Sequence, residues 1–472
     1  ETLPDRFKWQ KGRTKYLLRE AFKSILPEST RRRKKLGFPV PIAEWLNEEH
    51  LKEILSCRYI QTHFDQSEIK KLFEKPVANA RKIYLLLMLA LWYNVFIENS
   101  PPAGPAGRYI ENWKLIPMDI LKIIGPAVLT FFIGIFITPF FTRYFYKYKM
   151  WKKSPRSEAA TSEAFNRIHD VESELNTPRV GGVIIWVSVL LTVAIIFLLS
   201  KLFPVGLFGG EKSIFDQINF FSRSQTVVPL AAFFFAAAVG LVDDLFHIFG
   251  KGSYAKDALV YRKVKIAFIT LLGLSIASWF YYKLDFIGVH IPFGDAWEMG
   301  IWFIPFFVLV MLATFSTSVI DGLDGLAGGV LASSFTAFAV IAFLGNQYDI
   351  SALAGAIAGG ILAFLWFNVP PARFYMGETG ILALTVVLSV IAFLTDSVFL
   401  LPIIALPLVA TTASVIIQII SYRYFNKHRV FLVAPLHLHF RALGWPREKV
   451  VMRYWIVSVV TAITGVILFL VS

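Results

Sequence analysis

From residue 116 to the carboxy terminus the chain is a succession of ten apolar runs, roughly 116–141, 181–203, 227–242, 264–282, 299–320, 326–344, 352–367, 380–394, 398–420 and 454–471. A helix that crosses the bilayer core needs about 20 apolar residues, and most of these runs approach that length. In lipid every backbone N–H and C=O must find its partner within the structure, which leaves a helical bundle as the natural solution. Composition points the same way: 56% of the residues are hydrophobic and 17% are charged, against about one quarter charged in soluble domains. The expected fold is all-α, a polytopic membrane protein with about ten transmembrane helices, preceded by a small, mostly helical soluble segment.

That first segment differs in character. Residues 1–115 hold 21 Lys and Arg and 13 Asp and Glu, a net +8 of the chain's +14. The remaining +6 is spread over a much longer stretch, so no single nucleic-acid patch forms and no nucleic-acid partner is expected. Arg31-Arg-Arg-Lys-Lys35 reads as a solvated basic turn. Apolar residues recur at helical spacing in Lys15-Tyr-Leu-Leu-Arg-Glu-Ala-Phe22. The run Tyr84 to Ile97 is short for a span and is expected to be a buried helix. Ser100-Pro-Pro-Ala-Gly-Pro-Ala-Gly107 marks a boundary. The expected division is 1–100, a linker at 101–115, and a membrane domain at 116–472. A single cysteine, Cys57, excludes an intrachain disulfide and a cysteine metal cluster. No cleavable signal peptide is recognised, and without an initiator Met the chain is expected to begin inside something longer.

The loops set an orientation. Those after the odd-numbered runs carry 20 Lys and Arg, and those after the even-numbered runs carry 3. The positive-inside rule places the first set in the cytoplasm. Every polar constellation falls on that same side. Gly240-Leu-Val-Asp-Asp-Leu-Phe-His247 places Asp243 and Asp244 at the end of the third run. Val319-Ile-Asp-Gly-Leu-Asp-Gly-Leu326 holds Asp321 and Asp324 in a short turn between two runs. Asn368 to Gly380 carries Arg373, Tyr375 and Glu378, and Ala434-Pro-Leu-His-Leu-His-Phe440 carries His437 and His439. Two histidines that far apart would share a face of a strand and could be a zinc pair. With no third strong ligand nearby and five carboxylates on one face, Mg²⁺ and phosphate suit the set better. A metal-bridged pyrophosphate beside Arg and His is the layout of phosphoryl transfer. An ion-coupled transporter also uses intramembrane acids, but its site lies near the bilayer midplane rather than at one end.

These loops resemble the polyprenyl-phosphate N-acetylhexosamine-1-phosphate transferase superfamily. The similar stretches are Thr177-Pro-Arg-Val-Gly-Gly182, Val242-Asp-Asp244, Asp321-Gly-Leu-Asp-Gly-Leu326, Phe367 to Gly380, Ser414-Val-Ile-Ile-Gln418, and Ala434 to Trp455. Pro-Leu-His-Leu-His-Phe, Gly444-Trp445-Pro446 and Val450-Val-Met-Arg-Tyr-Trp-Ile456 side with its phospho-N-acetylmuramoyl-pentapeptide transferase branch rather than the GlcNAc-1-phosphate transferases. The resemblance implies transfer of phospho-MurNAc-pentapeptide from UDP-MurNAc-pentapeptide to undecaprenyl phosphate, giving lipid I and UMP. The setting would be the bacterial cytoplasmic (inner) membrane, multi-pass, with Mg²⁺, the active site on the cytoplasmic face, and a homodimer. It further implies that Asp243 or Asp244 deprotonates or orients the lipid phosphate and that Glu378, with Asp243 and Asp321, holds the metal. Asp321 and Asp324 would hold nucleotide or metal, and Tyr375 would stack on uracil. Asn368, Arg373, Gln418 and Thr177 would contact substrate, and His437 and His439 its phosphates.

The chain departs from the family pattern in places. Glu378 stands for an Asp, His247 for a Lys, Ser318 for an Asn, and Leu438 for the middle His of three. No Lys is evident upstream of Thr177-Pro178. The alternatives are transfer from UDP-GlcNAc or another UDP-HexNAc, and a weakened UDP-sugar-binding or transport protein. Residues 1–100, through Leu26-Pro27, the basic run, Gly37-Phe38 and Pro41, resemble the carboxy-terminal part of the asparagine synthetase domain. The ATP-binding Ser-Gly-Gly-Xaa-Asp-Ser loop of that family is absent, so no synthetase activity is expected.

Overall fold

The computed structural model describes residues 9–10, 13–14, 48–74, 76–93, 107–151, 176–203, 213–222, 225–249 and 258–472. The chain forms two compact units, Glu1–Glu111 and Asn112–Ser472. In the first, strands β1 (Trp9–Gln10) and β2 (Arg13–Thr14) pair antiparallel. Four helices follow: α1 (Glu48–Ser56), α2 (Arg58–His63), α3 (Gln66–Glu74) and α4 (Pro76–Tyr93). Their apolar faces close on a small core of Ile54, Cys57, Ile60, Ile69, Ile83 and Leu87. The run beginning at Tyr84, as far as Tyr93, is thus the end of a packed helix, and Cys57 is one of the core's buried side chains. The basic run at Arg31 lies outside the described residues.

Among the described residues of the second unit, ten helices are long and apolar enough to cross a membrane. Helix α5 (Gly107–Lys147) is the first, with its span from Ile120 onward. It starts inside the expected linker, just past Pro105, where apolar residues recur at helical spacing through Ile110, Trp113 and Ile116. Then come α6 (Val183–Leu202), a short α7 (Ile214–Gln217), α8 (Val227–Phe249) and α9 (Ala258–Lys283). A hairpin of β3 (Gly288–His290) and β4 (Ala296–Glu298) leads into α10 (Phe303–Ser316) and a 3-10 turn, Thr317–Ile320. Helices α11 (Leu326–Leu344), α12 (Tyr348–Asn368) and α13 (Gly377–Leu394) follow on short connections. The last four are α14 (Leu401–Ile404), α15 (Leu406–Tyr424), α16 (Leu436–Ala442) and α17 (Arg447–Val471).

The bundle is layered. The span of α13 is 94% buried, while that of α5 is 17% buried. Small residues explain how α13 reaches the centre, because they let helix backbones approach closely. A Cβ on Gly240 of α8 would meet the backbone of Glu378 and Thr379, and one on Gly182 would meet that of Gly380. The chain before α6 is stitched to the chain before α13 by backbone bonds: Tyr375 N donates to Pro178 O (2.7 Å), Gly181 N to Tyr375 O (2.9 Å) and Gly182 N to Met376 O (2.8 Å). The end of the bundle where the carboxylates gather is therefore built on its most enclosed helix.

Candidate active site

Asp243 and Asp244 lie in the last turns of α8, both buried. Successive residues on a helix point about 100° apart, so the pair divides its labour. Asp244 turns to α13: its Oδ1 accepts from Glu378 N (3.1 Å) and its Oδ2 from Thr379 N (2.9 Å). It thereby satisfies two of the N–H groups that every helix leaves open at its start. Gly377, at φ +69°, completes this cap; a side chain there would strike Arg179 O and the Asp244 carboxylate.

Asp243 turns the other way. Its Oδ2 meets Lys265 Nζ at 3.2 Å, and the same ammonium meets Glu378 Oε1 at 2.8 Å. The second oxygen of each acid, Asp243 Oδ1 and Glu378 Oε2, is buried without a hydrogen-bond partner. A buried carboxylate oxygen left open is costly; two beside one cation form a seat for a further positive ion. Among the described residues no three His, Cys, Asp or Glu side chains are gathered into a metal-holding set. A divalent ion here would complete its shell with water and substrate phosphates, which is how Mg²⁺ is ordinarily held. The donor chemistry fits Mg²⁺ on those terms.

The Asp-Gly-Leu-Asp-Gly turn faces this cluster. Asp321 ends the 3-10 turn. Asp321 is exposed at its surface; crowding by protein, with the charges of Glu378 and Asp324, raises its carboxyl while Arg179 pulls it down. Contact with solvent limits the rise. Asp324 Oδ2 accepts from Ala372 N at 3.3 Å. Asn368 is a strut between two loops: Oδ1 accepts from Gly325 N (2.8 Å) and Nδ2 donates to Phe374 O (2.8 Å). Trp455 Nε1 donates to Gly325 O at 3.0 Å, fastening α17 to the turn.

Helix α16 roofs the turn. The histidines are on a helix and not on a strand, so they diverge. The Pro435-Leu-His-Leu-His-Phe440 stretch winds because Pro435 stands just before the first turn, where its missing N–H costs nothing. His437 is sealed against Gly322, where a Cβ would collide with its ring, and neither ring nitrogen has a hydrogen-bond partner. Burial holds its imidazole down to about 3, so it is neutral. His439 faces outward, with Nδ1 accepting from Leu432 N at 3.2 Å.

The remaining expected residues are placed as follows. Thr177 is buried at the start of the stitched strip. Tyr375 takes part in that strip through its backbone. Arg373 is exposed, its guanidinium 5.6 Å from the Phe367 ring. Gln418 clamps the backbone of Phe431, Oε1 accepting from its N (2.9 Å) and Nε2 donating to its O (3.2 Å). Both ends of Gln418, like those of Asn368, are thus committed to shaping loops. Sequence reasoning passed over Lys265 and gave Arg179 no role. The available signal was Lys263-Val-Lys265, two cations at the mouth of an apolar run, and an arginine between Pro178 and the strip's glycines.

An apolar groove of about 400 Å³ runs between α10 and the α14–α15 segment, from Phe306 and Phe399 to Ser316, Thr317 and Ile416. Its inner end adjoins the 3-10 turn that carries Asp321. A larger apolar cavity of about 660 Å³, between α5, α11 and α12, has no charged lining and lies apart from these residues.

Comparison with known proteins agrees with this layout. Residues 226–396 match the glycosyl transferase family 4 model, and residues 1–94 match that of asparagine synthase. The phospho-N-acetylmuramoyl-pentapeptide-transferase of Chloroflexus aurantiacus is 30% identical over 370 residues, covering 76% of this chain and 92% of that one. The proteins of the same name from Listeria monocytogenes serotype 4b and Caldanaerobacter subterraneus are 31% and 32% identical, over 74% and 72% of this chain and 98% and 96% of theirs. With ten apolar helices and a carboxylate site at one end of the bundle, the chain is a multi-pass membrane enzyme, a polyprenyl-phosphate phosphosugar transferase, and it belongs to the phospho-N-acetylmuramoyl-pentapeptide transferase family.

Proposed function

We propose that this protein transfers phospho-MurNAc-pentapeptide from UDP-MurNAc-pentapeptide to undecaprenyl phosphate, with Mg²⁺, at the cytoplasmic face of the inner membrane. The observation that carries the reading is the Asp243–Lys265–Glu378 cluster with its two open, buried carboxylate oxygens. In the reaction an oxygen of the lipid phosphate bonds to the phosphorus that bears the sugar. The bond from that phosphorus to the bridging oxygen breaks, and UMP leaves with the electron pair.

The chain's own residues divide this work. Asp243 orients the lipid phosphate: its Oδ2 is tied to Lys265, and its Oδ1 stays open beside Glu378. Lys265 keeps Asp243 and Glu378 together and offsets their charge. Asp244 contributes by fixing the start of α13, and with it the position of Glu378. Arg179 lies near enough to Asp321 to act on its charge, and so is placed to meet an anionic donor. Mg²⁺, held by Asp243 and Glu378 with Asp321 opposite, would neutralise charge developing on the pyrophosphate. The groove suits a polyprenyl chain: its lining is mostly apolar and includes Thr317, in the 3-10 turn that Asp321 ends. Positive-inside loops at this end of the bundle support the cytoplasmic assignment.

The test is UMP release by the purified full-length chain supplied with UDP-MurNAc-pentapeptide, undecaprenyl phosphate and Mg²⁺, with UDP-GlcNAc run in parallel. Metal-dependent release from the first donor is expected. Absence of release with either donor, at any Mg²⁺ concentration, would sink the proposal; release from UDP-GlcNAc alone would move the chain to the sister branch.

A further inference from the structure

We propose that the cationic corner where α16 meets α17 binds the carboxylates of the peptide carried by the sugar donor; this rests on the donor reading above. The corner is built on Trp445. Its indole lies parallel to Phe440, with ring centroids 4.8 Å apart and 15° between planes. Lys449 Nζ and Arg453 Cζ stand 4.8 Å and 4.3 Å from the centroid of the same ring. These two cations are four residues apart on one helix, where like charges repel. Among the described residues neither has a carboxylate partner, and both are exposed. Arg441 adds a third cation, its Nη1 donating to Trp445 O at 2.9 Å. The charge of Arg447 also acts on Arg441, and Glu448 is the acid beside them. An anion laid between Lys449 and Arg453 relieves the repulsion and accepts charge-assisted bonds from both.

Its distance from the reacting groups fits a peptide rather than the pyrophosphate. Helix α16 sets His437 on Gly322 and, one turn further, Phe440 and Arg441 against Trp445. A turn rises about 5.4 Å, so the corner stands one to two turns away from the Asp-Gly-Leu-Asp-Gly turn. A peptide hanging from the sugar reaches a point at that remove. Every such peptide ends in a carboxylate at neutral pH, and the Trp445 ring, held between Phe440 and the two cations, fixes the place where that carboxylate is met. Gly444-Trp445-Pro446 also belongs to the stretch by which the sequence sides with the pentapeptide transferases. The donors of the two branches differ in that peptide. Lipid phosphate is the competing anion, because α17 enters its apolar stretch at Tyr454.

The experiment measures binding of UDP-MurNAc-pentapeptide and of UDP-MurNAc without peptide, by calorimetry, to the full chain in nanodiscs of phosphatidylcholine or of phosphatidylglycerol. The wild type is expected to bind the peptide-bearing donor about tenfold or more the tighter of the two, the scale of a pair of charge-assisted contacts. Lys449→Ala with Arg453→Ala should bring the two affinities within about twofold by weakening only the first, in both lipids. Equal weakening of both donors, or an unchanged ratio, overturns the proposal. A loss confined to one lipid assigns the corner to headgroups and overturns it too. A wild type that shows the ratio but releases no UMP refutes the transfer reading and leaves this one standing; a ratio near one in an enzyme that turns over refutes this one alone.

Discussion

The two sides of α8 at its site end are opposites. On the Asp244 side every polar group is consumed: both carboxylate oxygens cap α13, and glycines at 182, 240, 377 and 380 bring backbones into contact. On the Asp243 side valences are left open, with Asp243 Oδ1 and Glu378 Oε2 buried and unpartnered around Lys265. A carboxylate with nothing left to accept serves the fold, and one with a spare oxygen is open to a ligand. Adjacent residues of one type can thus hold unrelated jobs, set by a single helical step.

The comparison can be broken by substitution. The largest effect is expected from Asp243→Asn: transfer should fall by about a thousandfold, the scale of losing one preorganised charge, while the thermal midpoint moves little. Comparable activity in the variant would show that the open oxygen is idle. Gly182→Ala should act on the closed side instead, because its Cβ meets the Gly380 backbone; a loss of about 3 kcal/mol is expected, read as a lower melting temperature in detergent. Asp244→Ala should cost about 2 kcal/mol through the lost cap, and a variant that keeps its stability would overturn the structural assignment. The smallest effect concerns pH. His437 is held at about 3 in the fold against an ordinary value near 6.5, so its contribution is complete above 6.5 and is lost as pH falls toward 3. The unfolded chain takes up a proton that the folded state refuses. His437→Leu should flatten that acid limb of the melting temperature, and an unaltered slope would mean the ring is not sealed.

The spans were legible because apolar run length is a one-dimensional property, and α11, from Leu326 to Leu344, falls on its predicted bounds. The gathering of polar loops at one end followed from counting Lys and Arg. The partners within the site were not legible. Nothing in Asp243-Asp244 says which of the two meets Lys265, since that depends on the rotation of α8 against α9 and α13. Glu378 reads as a metal ligand whether or not a lysine stands beside it. His437 and His439 read as a pair until the chain at Pro435 starts a helix and separates them. Asn368 and Gln418 are expected at substrate by the resemblance alone, and the structure shows what else they do: each has both ends on backbone. Such struts are invisible without knowing which loops lie side by side.

Glu378 sits in the first turn of the most enclosed span, and the least enclosed spans, α5 and α17, face outward. A membrane's thickness and lateral pressure vary with its lipids and temperature, and those loads fall first on the outer helices. The inner pair α8 and α13, joined by glycine contacts and a side-chain cap, works like an axle inside a compliant rim. Turnover should then depend on lipid composition mainly through delivery of the acceptor, and the spacing of Asp243, Lys265 and Glu378 should stay constant from one bilayer to the next.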